Sequence, residues 1–396
     1  HTERGNFYTE TLAAAAGGVT TIMEHPISVP PQYNVEILEN RIKRAEDQCV
    51  VDFCFYGAAG GEFPEEITKL AKDGRIVAFK TFLHAAPQGR EQEFKGLTMA
   101  DDGELICGME ELAKTGLICA FHAEDNDLIQ YYINKMKAEG KTSGRDHALS
   151  RPVVSEVQSV ERVLRFAKET KARVEIAHVS TPQAMELIKQ AREEGVDVYA
   201  ETCPHYLFLN EDVLETFGPF AKCNPPLRKQ KLVDKLWKYV TDGTVDYIGS
   251  DHSPFLYEEK TKGLNDIFAA VSGFPGVDLR LPLMLHAVKQ GKITLEKVVE
   301  LLCVNPAKIF GIFPQKGILT PGADADFAVI DLEHSMTVVK EKNYSHAKAI
   351  AIPYDGWKLD CRIDATILRG KILMKDGVVD ESAKAYGQLV CPVRNA

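Results

Sequence analysis

The feature that most restricts this chain is an alternation. Over the first two-thirds of its 396 residues, short β-rich apolar runs take turns with stretches of helical spacing. Seven runs follow one another: VTTIME (19–24), VDFCFY (51–56), IVAFKTFL (76–83), LICAFH (117–122), VEIAHV (174–179), VYAE (198–201) and YIGS (247–250). Strands alternating with helices are the pattern of βα units on a parallel sheet. The stretch SEVQSVERVLRFAKET (155–170) is one covering helix, with Val157, Val160, Val163, Leu164 and Ala167 on one face. Seven units are one short of an eight-stranded barrel, and YTETLAAAA (8–16) reads as a helix whose preceding strand is expected before His1. The expected fold is therefore α/β: a TIM-like (β/α)8 barrel with its first strand missing. From about Lys316 the pattern changes to short alternating strands with glycine turns, GILTPGADADFAVIDL and IDATILRGKILMKDGVV. Residues 1–315 are accordingly assigned to the barrel, and 316–396 to the C-terminal part of a small appended β-sandwich and its tail.

Composition narrows the class. Hydrophobic residues at 45% and charged residues at 26% suit a globular enzyme and exclude a disordered chain. The net charge of −10 has the wrong sign for tracking a phosphate backbone or an anionic bilayer, so neither nucleic acid nor membrane is an expected partner. No apolar run approaches the roughly 18 residues of a transmembrane helix. The nine cysteines are scattered, odd in number and never spaced C-x-x-C, as reduced thiols in the cytoplasm would be.

In a barrel enzyme the reactive groups stand at the C-terminal ends of the strands. Lys80 interrupts IVAFKTFL, His122 ends LICAFH, His178 lies at the end of VEIAH, and Asp251-His252 follows YIGS. Each alone has a bland reading, since a strand lysine can pair with an acid, a lone histidine is more often packed than ligating, and an aspartate can cap its own loop. Four at the same end of four strands make a set. Two neutral imidazoles and an oxygen donor suit zinc or a similar metal, a nearby carboxylate can take a proton from water, and a deprotonated buried lysine can react with carbon dioxide to give a carbamate. His147, His286, His334 and His346 are read as structural or solvated, His205 as either supporting a ligand or packed, and Asp324 and Asp326 as turn formers.

Taken together, the motifs GGVTT (17–21), AFKTFL (78–83), FHAE (121–124), IAHVS (176–180), ETCPHYL (201–207), KCNPPLR (222–228), GSDHSP (249–254) and PGADADF (321–327) resemble the cyclic amidohydrolases that include allantoinase, dihydropyrimidinase (hydantoinase) and dihydroorotase. The likeness spans essentially the whole chain. It implies two divalent metal ions, zinc expected, bridged by a carbamylated Lys80; His122 and His178 binding one metal; and Asp251 as both ligand and general base, passing a proton to the leaving ring nitrogen. Asn224, Ser272 and Gly273 match positions whose backbone groups hold the cyclic amide. The implied partner is a small cyclic ureide, with a homotetramer as the expected assembly.

Departures within the family point to one branch. Hydantoinases carry a tyrosine where Ala85 stands, and dihydroorotases continue the aspartate motif as D-H-A-P-H, whereas this chain reads Asp251-His252-Ser253-Pro254-Phe255. SRPVVSEVQSVERVL (150–164), Cys223 and Ser253 are similar to allantoinases, which makes allantoin the expected substrate. His25-Pro26-Ile27-Ser28 replaces the usual M-P-L-N. The H-x-H pair that ends the first strand in relatives, and supplies two ligands to the second metal, is absent. His1 is no substitute for it, so one metal site is expected to be incomplete in this chain. The opposite reading is a non-catalytic scaffold that dispensed with that strand.

Overall fold

The structure is a computed structural model that describes residues 2–393; His1 and residues 394–396 lie outside them. All seven expected strands form. They are β1 (Thr21–Glu24), β2 (Asp52–Ala58), β3 (Ile76–Phe82), β4 (Cys119–His122), β5 (Val174–Ile176), β6 (Val198–Thr202) and β7 (Tyr247–Ile248). They pair in chain order, every pair parallel, with β1 and β7 as the two edges among the described residues. Every position of β2 and β3 is buried, because helices cover the outer face and barrel side chains fill the inner one.

The helices follow from the same pattern. The Val153–Thr170 helix buries Val160, Val163, Leu164 and Ala167, with Pro152 just ahead of its first turn, where proline's missing N–H costs nothing. Two expected strands end early. The run VEIAHV stops at Ile176 because His178 takes a positive φ of 41°, and YIGS stops at Ile248, ahead of Asp251 at φ 45°. Non-glycine residues pay to sit there, and such strain gathers at functional sites.

After the barrel come β8 (Phe327–Asp331), β9 (Met336–Thr337), β10 (Lys358–Leu359), β11 (Arg362–Leu368), β12 (Lys371–Lys375) and β13 (Val378–Val379). Four of them make an antiparallel sheet in the order β13-β12-β11-β8, and β9 pairs with β10. The Phe7–Ala16 helix docks on this sheet: Leu12, Ala13, Ala14 and Ala15 pack with Ile363, Leu368, Leu373 and Met374. At the start of β2, Asp52 binds Lys316 and Arg369, and the tail continues past it, with Phe53 and Gln388 sharing a backbone hydrogen bond. This junction lies at the opposite end of β2 from the strand ends that carry the reactive set.

Candidate active site

Lys80 is the fifth residue of β3 and only 2% exposed; its Nζ has no hydrogen-bond partner and lies 5.0 Å from the Phe82 ring centre. Burial pushes its pKa below the ordinary lysine range, against the pull of Glu175, Glu201 and Asp251. His122, the last residue of β4, places Nδ1 3.0 Å from Nε2 of His178. Burial drives both imidazoles far below the usual histidine range, so both are neutral and carry lone pairs. The backbone N–H of His178 donates to Glu201 Oε2 at 2.8 Å, which ties the left-handed turn to β6, while its Nδ1 is buried without a partner.

Asp251 follows β7, and its carboxyl is pushed up to about 7 by burial, with the charge of Glu201 adding. Around these four groups lies a continuous cavity of about 1510 Å³ that Lys80, His122, His178 and Asp251 line together with Asn224, Ser272 and Gly273. The cavity runs on between β1 and β7, past Met23 and Leu302 to Phe327. Thus all seven residues singled out in the sequence face one space. Asn224 Oδ1 is buried and unpaired, whereas Gly273 has a structural duty: its φ is 124°, and a Cβ there would stand 2.5 Å from that of Ser253.

Several contributors escaped the sequence reading. Glu175 on β5 and Glu201 on β6 are buried acids in the barrel interior; burial and the neighbouring Glu201 push Glu175 up to about 8. Gly249 makes room for Glu201, because a Cβ there would fall 1.6 Å from Glu201 Oε1. His25 follows β1 directly, stacks 4.3 Å from Tyr56 and is driven down to about 3 by burial and then by Lys80. Its signal, a histidine ending an apolar run, was the same one that marked His122. Glu124 accepts from His122 Nε2 at 3.0 Å through an oxygen that the Arg151 guanidinium also holds, which fixes the ring.

His147 is buried and its Nε2 lies 2.9 Å from the carbonyl of Cys223; His205 packs between Tyr206 and Phe274 with Nε2 unpaired. Asp324 and Asp326 form more than turn hydrogen bonds, since both join Asp52 on the ammonium of Lys316, at 2.9, 2.7 and 2.6 Å. These three acids are close enough to share a cation, and Lys316 is that cation. The trio therefore differs in kind from the strand-end set, whose Lys80 amine and His178 Nδ1 lack partners. Neutral imidazoles with a carboxylate and an unpaired amine form a donor set that fits a divalent first-row metal.

A profile of the amidohydrolase family matches residues 3–373. An L-hydantoinase of Paenarthrobacter aurescens is 35% identical over 389 residues, covering 98% of this chain and 82% of its own length. An allantoinase of Deinococcus radiodurans is 35% identical over 373 residues, covering 94% and 80%. Among solved structures, the L-hydantoinase (dihydropyrimidinase) of Arthrobacter aurescens superposes with a TM-score of 0.93 over 98% of this chain and 85% of that one, at 35% identity. With the strand order, the strand-end set and these matches in agreement, the chain belongs to the amidohydrolase family.

Proposed function

We propose that this protein hydrolyses a C–N bond of a cyclic ureide or cyclic amide, with allantoin as the first substrate to test and hydantoin beside it. The observation that carries the reading is the convergence of Lys80, His122, His178 and Asp251, from four strands, on one cavity. An L-hydantoinase and an allantoinase match equally well at 35% identity, so Ala85 does not rank hydantoin, the alternative substrate, behind allantoin.

In this reading Lys80, His122, His178 and Asp251 hold divalent metal, zinc by the donor chemistry. The depressed amine of Lys80 adds to carbon dioxide, forming an N–C bond and releasing one proton, and so offers two oxygens instead of one nitrogen. Metal bound there would polarise a ring carbonyl and bring the pKa of a water towards 7. The remaining work falls to the chain. Asp251 takes a proton from the attacking water and returns it to the departing ring nitrogen, the work of a general base and then a general acid. Glu124 and Arg151 hold His122 in one orientation. The unpaired Asn224 Oδ1 accepts from a ring N–H, and the backbone at Ser272 and Gly273 closes the opposite edge of the ring.

Metal content and ring opening measured on the same full-length sample test this. Allantoate from allantoin, or a carbamoyl amino acid from a hydantoin, is the expected product in metal-loaded protein. Full metal loading with no turnover of allantoin, hydantoin or dihydrouracil sinks the reading and leaves the scaffold.

A further inference from the structure

Two buried lysines outside the strand-end set tie together the segments proposed to hold the substrate ring. Lys222 starts KCNPPLR, and its Nζ donates to the carbonyls of Ile267 at 2.8 Å and Ala270 at 2.5 Å. Lys260, in the short Tyr257–Thr261 helix, is fully buried, and its Nζ donates to the carbonyls of Lys222 and Val271, both at 3.2 Å. The Lys222 carbonyl also accepts from the N–H of Gly273 at 2.8 Å. Five hydrogen bonds thus lock residues 267–273 against residue 222. From the far side His147 donates to the carbonyl of Cys223, so the strip leading to Asn224 is gripped twice.

We propose that Lys222 and Lys260 are positioning residues: they set the distance between Asn224 and the Ser272–Gly273 backbone, the two polar edges between which a cyclic ureide is held. This rests on the function proposed above. Neither amine has a carboxylate within the hydrogen bonds just described; all four of their bonds go to main-chain carbonyls, which is unusual company for a buried lysine. A lysine kept only for stability would be expected to carry a carboxylate partner, as Lys316 does. Carbonyls from two loops, by contrast, need donors on a long stem that can reach both, and a lysine offers three donors from one atom. Burial pushes each ammonium down to about 7, and the geometry survives deprotonation because a neutral amine still donates twice. Since ring recognition depends on sub-ångström placement of fixed donors and acceptors, loosening the clamp should weaken binding of the ring before it touches proton transfer at Asp251.

The test is steady-state kinetics on the full-length, metal-loaded protein with Lys260→Met and Lys222→Met, beside Lys260→Arg, which keeps donors in place. Expected is a KM for the cyclic ureide raised about tenfold or more, with kcat per metal-loaded chain within about threefold, an unmoved pH profile and partial recovery in Lys260→Arg. A KM within about twofold of wild type in both methionine variants, with only thermal stability lowered, overturns the clamp. If neither variant folds, hydrogen exchange on wild type decides: saturating hydantoin must slow the amides of 223–224 and 272–273 together, and protection of only one segment or of neither overturns it. Wild type that neither opens nor is protected by allantoin, hydantoin or dihydrouracil defeats the functional reading itself. Active wild type with an unmoved KM in the variants defeats the clamp alone.

Discussion

Lys80 and Lys316 are the same residue type and both all but buried, one late in β3 and the other in the connection before β8, bonded to Asp52 at the start of β2, and their surroundings are opposite. Lys316 meets Asp52, Asp324 and Asp326 within 2.9 Å, and its pKa is raised by those charges despite burial. Lys80 meets no hydrogen-bond partner, and burial lowers its pKa. A buried cation surrounded by acids joins two parts of a fold. One left without a partner is an expense that folding does not explain, and it marks chemistry.

Paired substitutions break or sharpen that contrast. The largest effect is expected at the unpaired end: Asp251→Asn, which keeps shape but removes the proposed proton carrier, should lower kcat by about 10³-fold or more, and Lys80→Ala should abolish metal retention. In metal-free protein Lys80→Ala is also expected to leave thermal stability unchanged or raised, because it deletes an unsatisfied buried amine. Metal analysis and calorimetry on one sample check both statements. At the paired end Lys316→Ala should do the reverse, costing about 1–3 kcal/mol in denaturant unfolding, since Asp324 and Asp326 lose their ammonium partner and Asp52 is left with Arg369 alone, with kcat per folded chain unchanged. If Lys316→Ala instead cost activity and spared stability, the contrast would collapse. A smaller effect belongs to Glu124→Gln, which frees the His122 ring and should weaken metal affinity by about 10- to 100-fold in competition titrations.

The two ends were not equally legible. Lys80, His122 and Asp251 announce themselves because a charged or imidazole side chain inside or just after a buried run is an anomaly within six or eight residues of sequence. Glu175 and Glu201 stand in equally apolar runs, yet their meaning depends on neighbouring strands, which bring Glu201 to the His178 amide and to the bare face of Gly249. The Lys316 network needs contacts 264 residues apart, so Asp324 and Asp326 read as turn residues. Lys260 was least visible of all. YEEKT is indistinguishable from a solvated surface turn, and only the chain's return at Lys222 and Val271 buries it.

Lys260 also supplies the smallest expected effect and the one whose sign is easiest to get wrong. Its pKa is about 7 in the folded protein, lowered first by burial, and near 10.5 unfolded. Below pH 7 both states hold the proton and the cost of burying an ammonium is carried in full. Between pH 7 and 10.5 the unfolded chain binds the proton and the folded chain does not, so rising pH favours folding, by up to about 1.4 kcal/mol per pH unit for one such group. In Lys260→Met that contribution is gone. The stability of wild type relative to the variant should therefore climb as pH is raised from 7 towards 10; Lys222, held at about 7 first by burial, is present in both and differs between them only by the loss of the Lys260 charge. Urea unfolding of the two proteins across that range measures the difference directly. A flat difference would mean that the buried amine keeps its proton and meets its two carbonyls as an ammonium, which would bring Lys260 closer in kind to Lys316 than to Lys80.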